Sequence, residues 1–245
     1  AARETRQHDL RYLDVPAGQA MAAVAAEWTH SRPEPAFTAW QDGQRFTRGL
    51  AAVKRSGRPV WPDHGVCVVT GGSGGFAAAL AEAFSNGGRV ALALLSRGTP
   101  GDAGLTAAID RLTAHGVTIR HYVADVTDQG GLGEALDRVR SELGAITAVV
   151  HMAGIADGAM LAVRDMAGFD AVMAPKITGA RNLEALTARD PLTAFVVFGS
   201  VTGLAGAIGH TAYTAANAWL DGFAIRRHAA GRPALSIDWC TLAGQ

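Results

Sequence analysis

Residues 66–77 read Val66-Cys67-Val68-Val69-Thr70-Gly71-Gly72-Ser73-Gly74-Gly75-Phe76-Ala77, and a helical pattern follows. An unbroken apolar run that ends in a glycine-rich turn and opens a helix is the signature of a parallel strand buried on both faces. Within it, Gly72-x-Gly74-x-x-Ala77 fits the dinucleotide fingerprint in its Gly/Ala form. That chemistry needs backbone N–H groups to approach a pyrophosphate closely at a helix N-terminus. Gly71, Gly72, Ser73, Gly74, Gly75 and Phe76 are therefore cofactor-binding candidates. A glycine run alone is as readily a flexible turn. Its place between a first strand and a first helix separates the two readings.

Working outward, further apolar runs lie at 90–96 (VALALLS), 119–126 (IRHYVADV), 146–154 (ITAVVHMAG), 194–200 (AFVVFGS) and 234–239 (ALSIDW). Helix-like stretches separate them near 75–87, 102–115, 128–143, 165–188 and 211–230. Six strands joined by helical crossovers predict an α/β fold, a Rossmann-like doubly wound parallel sheet. Before residue 60 the apolar spacing is irregular. A short helix is expected over 17–28, and two strands over 36–50 turn at Asp42-Gly43, where both residues tolerate positive φ. The Pro- and Gly-rich stretch 56–65 reads as a linker. Two domains are expected: 1–60, a smaller N-terminal unit with its linker, and 61–245, a dinucleotide-binding domain.

Composition narrows the class. Of 245 residues, 49% are hydrophobic, and 22 Lys+Arg balance 22 Asp+Glu. A neutral chain lacks the basic stripe of a nucleic-acid binder. Two cysteines build no disulfide framework. No apolar run is long enough to span a bilayer, and the charged N-terminus has no signal core. A cytoplasmic location is expected, with no nucleic-acid or membrane partner and no metal. The chain does not begin with Met, so it reads as a piece of a longer polypeptide. Only two lysines occur, Lys54 and Lys176, among many arginines. A lysine in such a chain can mark a place where arginine fails.

Ligands of open α/β sheets bind beyond the carboxyl ends of the strands. Ser96-Arg97 ends the second strand about where an acid would read an NAD ribose. An Arg there can instead pair with a 2′-phosphate, which favours NADPH, although it can equally face solvent. Asp125, with Val126, follows the third strand and either meets the adenine edge or caps the helix near Asp128. His151, Ala153 and Gly154 place a small-residue backbone beside the cleft, and His151 alone reads more readily as structural. Ser200 ends the fifth strand, and Tyr213 opens the next helix with Asn217 one turn on. Ser200 can hold a carbonyl and Tyr213 can donate a proton to it. A free tyrosine has a pKa of about 10 and needs a nearby cation; Lys176 is the candidate.

These residues resemble the short-chain dehydrogenase/reductase superfamily, and more closely the ketoreductase (KR) domains of modular polyketide synthases. The superfamily has Tyr-x-x-x-Lys. Here Asn217 stands at the last position and the lysine lies earlier, in Ala174-Pro175-Lys176, an exchange characteristic of the synthase branch. VVHMAG, FDAVMAPKITGARNL, FVVFGSVTGLAG, TAYTAANAWLDGFA and SIDWCTL carry the likeness, and FTAWQDGQRFTRGLAAV resembles the end of the structural subdomain.

The resemblance implies a catalytic set of Lys176, Ser200, Tyr213 and Asn217, with Lys176 also touching NADPH. It implies reduction of the β-keto group of an intermediate carried on the phosphopantetheine of an acyl carrier protein, with neighbouring synthase domains as further partners. Some positions depart from the pattern. The last glycine of the loop is Ala77. B-type members carry Leu-Asp-Asp where this chain has Ala156-Asp157-Gly158. A-type members carry Trp where this chain has Ala205, yet one A-type subgroup has His at His210. The balance leans to A-type. These five residues are the substrate-binding candidates. Two alternatives stay open: a free-standing reductase of small ketones, and a non-reducing scaffold or epimerising domain.

Overall fold

The computed structural model describes residues 12–16, 18–29, 37–47, 61–71, 89–98, 116–155 and 158–240, with a few single positions and pairs between them. The expected helix over 75–87 and the loop residues Gly72, Ser73, Gly74, Gly75, Phe76 and Ala77 lie outside the described residues, as do Ala156 and Asp157 and most of 102–115. The chain divides into two compact units, Ala1–Arg58 and Pro59–Gln245.

The first unit contains β1 (Tyr12–Asp14), α1 (Ala20–Trp28), β2 (Phe37–Gln41) and β3 (Gln44–Thr47). β2 pairs antiparallel with β3 and parallel with β1. Asp42 and Gly43 take φ of 51° and 75°, the left-handed values that a two-residue hairpin of the primed type requires. Glu27 of α1 accepts two hydrogen bonds from Arg45 of β3, at 2.7 and 2.8 Å, and ties helix to hairpin. β1 was not expected, because three residues are too few to show a period.

The second unit is built on one sheet: β4 (His64–Thr70), β5 (Arg89–Ser96), β6 (Ile119–Val123), β7 (Ile146–His151), β8 (Ala194–Ser200) and β9 (Leu235–Trp239). Every pairing is parallel, in the order β6-β5-β4-β7-β8-β9. This is the doubly wound order, and its direction reverses between β4 and β7. Among the described residues three long helices accompany the sheet: α2 (Gln129–Leu143), α3 (Met166–Leu186) and, after the one-turn α4 (Thr202–Ala205), α5 (Thr211–Ala229). Asp128 and Asp165 cap α2 and α3, accepting from Gly130 N–H at 3.0 Å and Gly168 N–H at 2.7 Å.

The strands read as continuous apolar runs because both faces are covered. Val66 and Val68 point into a core with Leu132, Leu136, Leu183 and Leu220, whereas Cys67 and Val69 point into the opposite one with Leu92, Leu94 and Val150. Each such aliphatic side chain contributes about 1.5–3 kcal/mol on burial. Burial alone pushes the Cys67 thiol up to about 12, which makes it a core residue rather than a nucleophile. The strand predicted over 119–126 stops at Val123, and the run 146–154 stops at His151; the residues beyond turn into the cleft. Among the described residues no helix is long and apolar enough to cross a membrane.

Candidate active site

The reversal of strand order leaves a crevice beyond the ends of β4 and β7. Gly71 marks it, with φ of 74°. A Cβ there would lie 2.8 Å from the Ala153 nitrogen and 2.9 Å from the Met152 carbonyl carbon, so only glycine lets the two strand ends approach this closely. A cleft of about 570 Å³ opens from this point. Gly71, Ser96, Arg97, Asp125, Val126, Ala153 and Gly154 line it, and it ends at Pro175, beside Lys176. Seven of the cofactor-binding candidates therefore share one cavity, at the place where open sheets take dinucleotides. The small residues in its lining, Gly71, Ala124, Ala153 and Gly154, leave room for such a ligand.

At one end of the cleft, Arg97 is exposed and its charge helps to hold the Asp125 carboxyl below the usual range. The larger causes are the Thr127 N–H at 2.8 Å and the Thr127 hydroxyl at 2.7 Å, both donating to Asp125 Oδ1. Asp128 caps α2, so Asp125 is a turn residue facing the cleft and not the helix cap. Ser96 Oγ lies 2.8 Å from His121 Nε2 and accepts from Gly98 N–H at 3.3 Å. Sequence reasoning missed His121. Its only signal was a polar residue on alternate positions of an edge strand.

His151 does not line the cleft; it is 1% exposed and lies behind it. Its Nε2 is 3.2 Å from the Lys176 carbonyl, which can only accept, so Nε2 carries the proton. Nδ1 then accepts from the Thr70 hydroxyl at 2.7 Å, and Thr70 Oγ accepts from Ala153 N–H at 3.3 Å. Burial, aided by the Lys176 charge, holds the imidazole at about 4, so it stays neutral. This line of bonds joins the ends of β4 and β7 to α3.

Lys176 is 4% exposed. Its stem passes Gly154, where a Cβ would come within 2.9 Å of Lys176 Cε. Nζ donates to the Phe198 carbonyl at 2.7 Å and lies 5.4 Å from the centre of the Tyr213 ring. Burial pulls the ammonium down to about 8, against the opposing charge of Asp238. The narrow passage explains the lysine: a planar guanidinium needs more room than a single ammonium. Pro175, just before it, has no N–H to give the Ala171 carbonyl within α3.

Asn217 lies one turn along α5 from Tyr213. Its Nδ2 donates to the Tyr213 carbonyl at 2.8 Å, while its buried Oδ1 has no partner among the described residues. Ser200 ends β8 and its Oγ accepts from Thr202 N–H at 3.3 Å, so its own hydrogen is available to another acceptor. The following turn, α4, packs on α5 at Gly203, whose Cβ would lie 3.0 Å from the Ala218 nitrogen. Lys176 and Asn217 thus both border Tyr213, with Ser200 two residues beyond the carbonyl that holds Lys176.

Of the substrate-side candidates, His210 is set edge-on to Tyr213 with ring centres 6.3 Å apart. Gly158 faces it, since a Cβ there would lie 3.4 Å from His210 Cε1, and the neighbouring Ala159 N–H donates to the Gly209 carbonyl at 2.7 Å. Ala205 ends α4 and is exposed.

Comparison with known proteins agrees with this geometry. The KR domain family matches residues 65–244. Polyketide synthase GfsB of Streptomyces halstedii is 39% identical over 198 residues, 80% of this chain and 4% of that protein. The ketoreductase from the first module of phoslactomycin biosynthesis in Streptomyces sp. HK803 superposes with a TM-score of 0.85 at 31% identity, over 96% of this chain and 54% of that one. A structure of A-type ketoreductases from a modular polyketide synthase gives 0.84 at 32% identity, over 95% and 51%. The chain spans about half the length of these solved domains and a small part of the synthase. With its all-parallel sheet, its cleft at the strand reversal and this match across both, the chain belongs to the KR domain family.

Proposed function

We propose that residues 61–245 form an NADPH-dependent β-ketoacyl reductase, acting on an intermediate borne by an acyl carrier protein within a cytoplasmic polyketide synthase, and that residues 1–60 are its structural subdomain. The observation that carries this reading is the buried Lys176 ammonium, threaded past Gly154 at the end of the cleft and set 5.4 Å from the Tyr213 ring. NADPH, when bound, supplies a hydride to the carbonyl carbon. Gly71, Ala153 and Gly154 would hold it by close backbone approach, and Arg97 would pair with its 2′-phosphate.

Ser200 and Tyr213 hold the substrate's carbonyl oxygen. As negative charge develops there, the Tyr213 hydroxyl donates its proton to it. The Lys176 ammonium stabilises the charge then left on the phenol oxygen. Asn217, fixed by its bond to the Tyr213 carbonyl, turns Oδ1 inward as the accepting end of a relay that restores the proton. His210 borders the Tyr213 ring, Gly158 faces His210, and the two bias the substrate towards the A-type configuration.

The test is consumption of NADPH with a β-ketoacyl thioester, followed by determination of the alcohol's chirality. An A-type alcohol is expected. Cofactor binding without turnover on any such thioester favours the non-reducing scaffold instead.

A further inference from the structure

Tyr213, Asn217 and Asp221 are spaced four residues apart on α5 and so share one face. The third member plays no part in the reaction described above. Ser236 of β9 donates to Asp221 Oδ1 at 2.7 Å. Two residues along β9, Asp238 stands opposite Gly199 of β8. Its carboxyl fills the space that a Gly199 side chain would need, so a Cβ there would collide with Asp238 Oδ1 and come within 3.2 Å of Ser236 Oγ. Asp238 Oδ1 is buried with no partner among the described residues. Asp238 is coupled by charge to Asp221 on α5 and to the Lys176 ammonium, whose Nζ is held at the Phe198 carbonyl next to Gly199. Two carboxyl groups and the buried Lys176 ammonium therefore cluster next to Ser200. His151, which faces Lys176 from β7, is neutral and adds no charge.

We propose that the Asp221–Asp238 carboxyl pair is a positioning element for the reduction, in which ionised Asp238 keeps Lys176 an ammonium beside Tyr213 and Asp221 governs when Asp238 ionises. The proposal rests on the reductase reading for its catalytic consequence, though not for the charge coupling itself. A buried ammonium whose nearest hydrogen-bond partner is a neutral carbonyl loses its proton readily. The Asp238 charge opposes that loss. Burial first, then the charge and hydrogen bond of Asp221, draw Asp238 up to about 6, against Lys176 and the Ser200 N–H. Above that pH Asp238 is charged and the ammonium is supported. Below it the support is withdrawn.

The sequence makes the test clean, because only Lys54 and Lys176 are present. Protein labelled with ¹³C at lysine Cε gives two signals, and K54R identifies that of Lys176. In D238N the Lys176 titration is expected to move down by about one pH unit, and the alkaline limb of kcat/KM to move with it. In D221N the alkaline midpoint is expected to stay at or above that of the native chain. The Asp238 transition, read from aspartate carboxyl ¹³C shifts, should drop towards the ordinary carboxylate range. An unmoved Lys176 titration in D238N overturns the proposal, as does an unmoved Asp238 transition in D221N, the variant that carries the test should D238N not fold. If the native protein reduces no thioester, the functional reading fails, while the lysine titration still decides the coupling.

Discussion

The Nε2–H of His151 donates to the main-chain carbonyl of Lys176 across 3.2 Å. The bond pins the helix that carries the ammonium to the strand beside the cleft, and the acceptor role of Nδ1 towards the Thr70 hydroxyl requires a neutral ring. With its pKa near 4 in the fold and 6.5 ordinarily, His151 takes up a proton more readily in the unfolded chain. Its contribution is therefore intact above pH 6.5 and is lost as pH falls towards 4, a change on the order of 3 kcal/mol. Long-range ¹H–¹⁵N spectra should show an Nε2–H imidazole that does not titrate between pH 8 and 5, with urea stability declining over the lower window. A ring titrating near 6.5 contradicts the assignment.

Lys176→Met should separate stability from activity. The ammonium sits near 8 in the fold against 10.5 ordinarily, so the unfolded chain keeps its proton to higher pH. Burial thus destabilises below pH 8, and the native chain gains roughly 3 kcal/mol as pH rises from 8 to 10.5. Denaturant curves across that window should show the gain in the native protein and not in the variant. At pH 7 the variant should be at least as stable, while kcat falls about 100-fold or more.

Gly71→Ala places a methyl against Ala153 and Met152 in a backbone conformation with φ of 74°. Stability should drop by about 1–3 kcal/mol. NADPH affinity measured by calorimetry should fall about tenfold or more, because the strand ends that flank the cleft move apart. Unchanged affinity would remove Gly71 from the cofactor site.

Arg97→Ala tests cofactor choice. Arg97 is exposed in the cleft near Asp125, so a bond from it to a 2′-phosphate would be screened. NADPH binding should weaken roughly tenfold and NADH binding hardly at all. The gap between the two cofactors in the native protein should narrow as salt is raised. Equal losses for both cofactors contradict the role.

The sheet was legible because burial on both faces forces continuous apolar strands, and such runs mark their own ends to within a few residues. Ala194–Ser200 coincides with the expected strand, and Gln129–Leu143 begins one residue after the expected start. Lys176 and Tyr213 stand 37 positions apart in the sequence; the need of a phenol donor for a nearby cation, and then the family likeness, paired them, and the structure sets ring and ammonium 5.4 Å apart. Asp221 and Asp238 were not legible as a pair. Each has the form of an ordinary surface or strand-end acid, and only the register of β8 against β9 brings one beneath Ser200. An acid within the apolar run LSIDW was the one available signal. The role of His151 also depends on three-dimensional partners, Thr70 and the Lys176 carbonyl, that no spacing reveals.

The most direct measurement compares NADPH oxidation by the native chain and by Tyr213→Phe on one β-ketoacyl thioester, with cofactor affinity measured alongside. The account predicts a fall in kcat of about 100- to 10,000-fold with cofactor affinity retained, since only the proton donor is removed. Turnover at the native rate in Tyr213→Phe would contradict it.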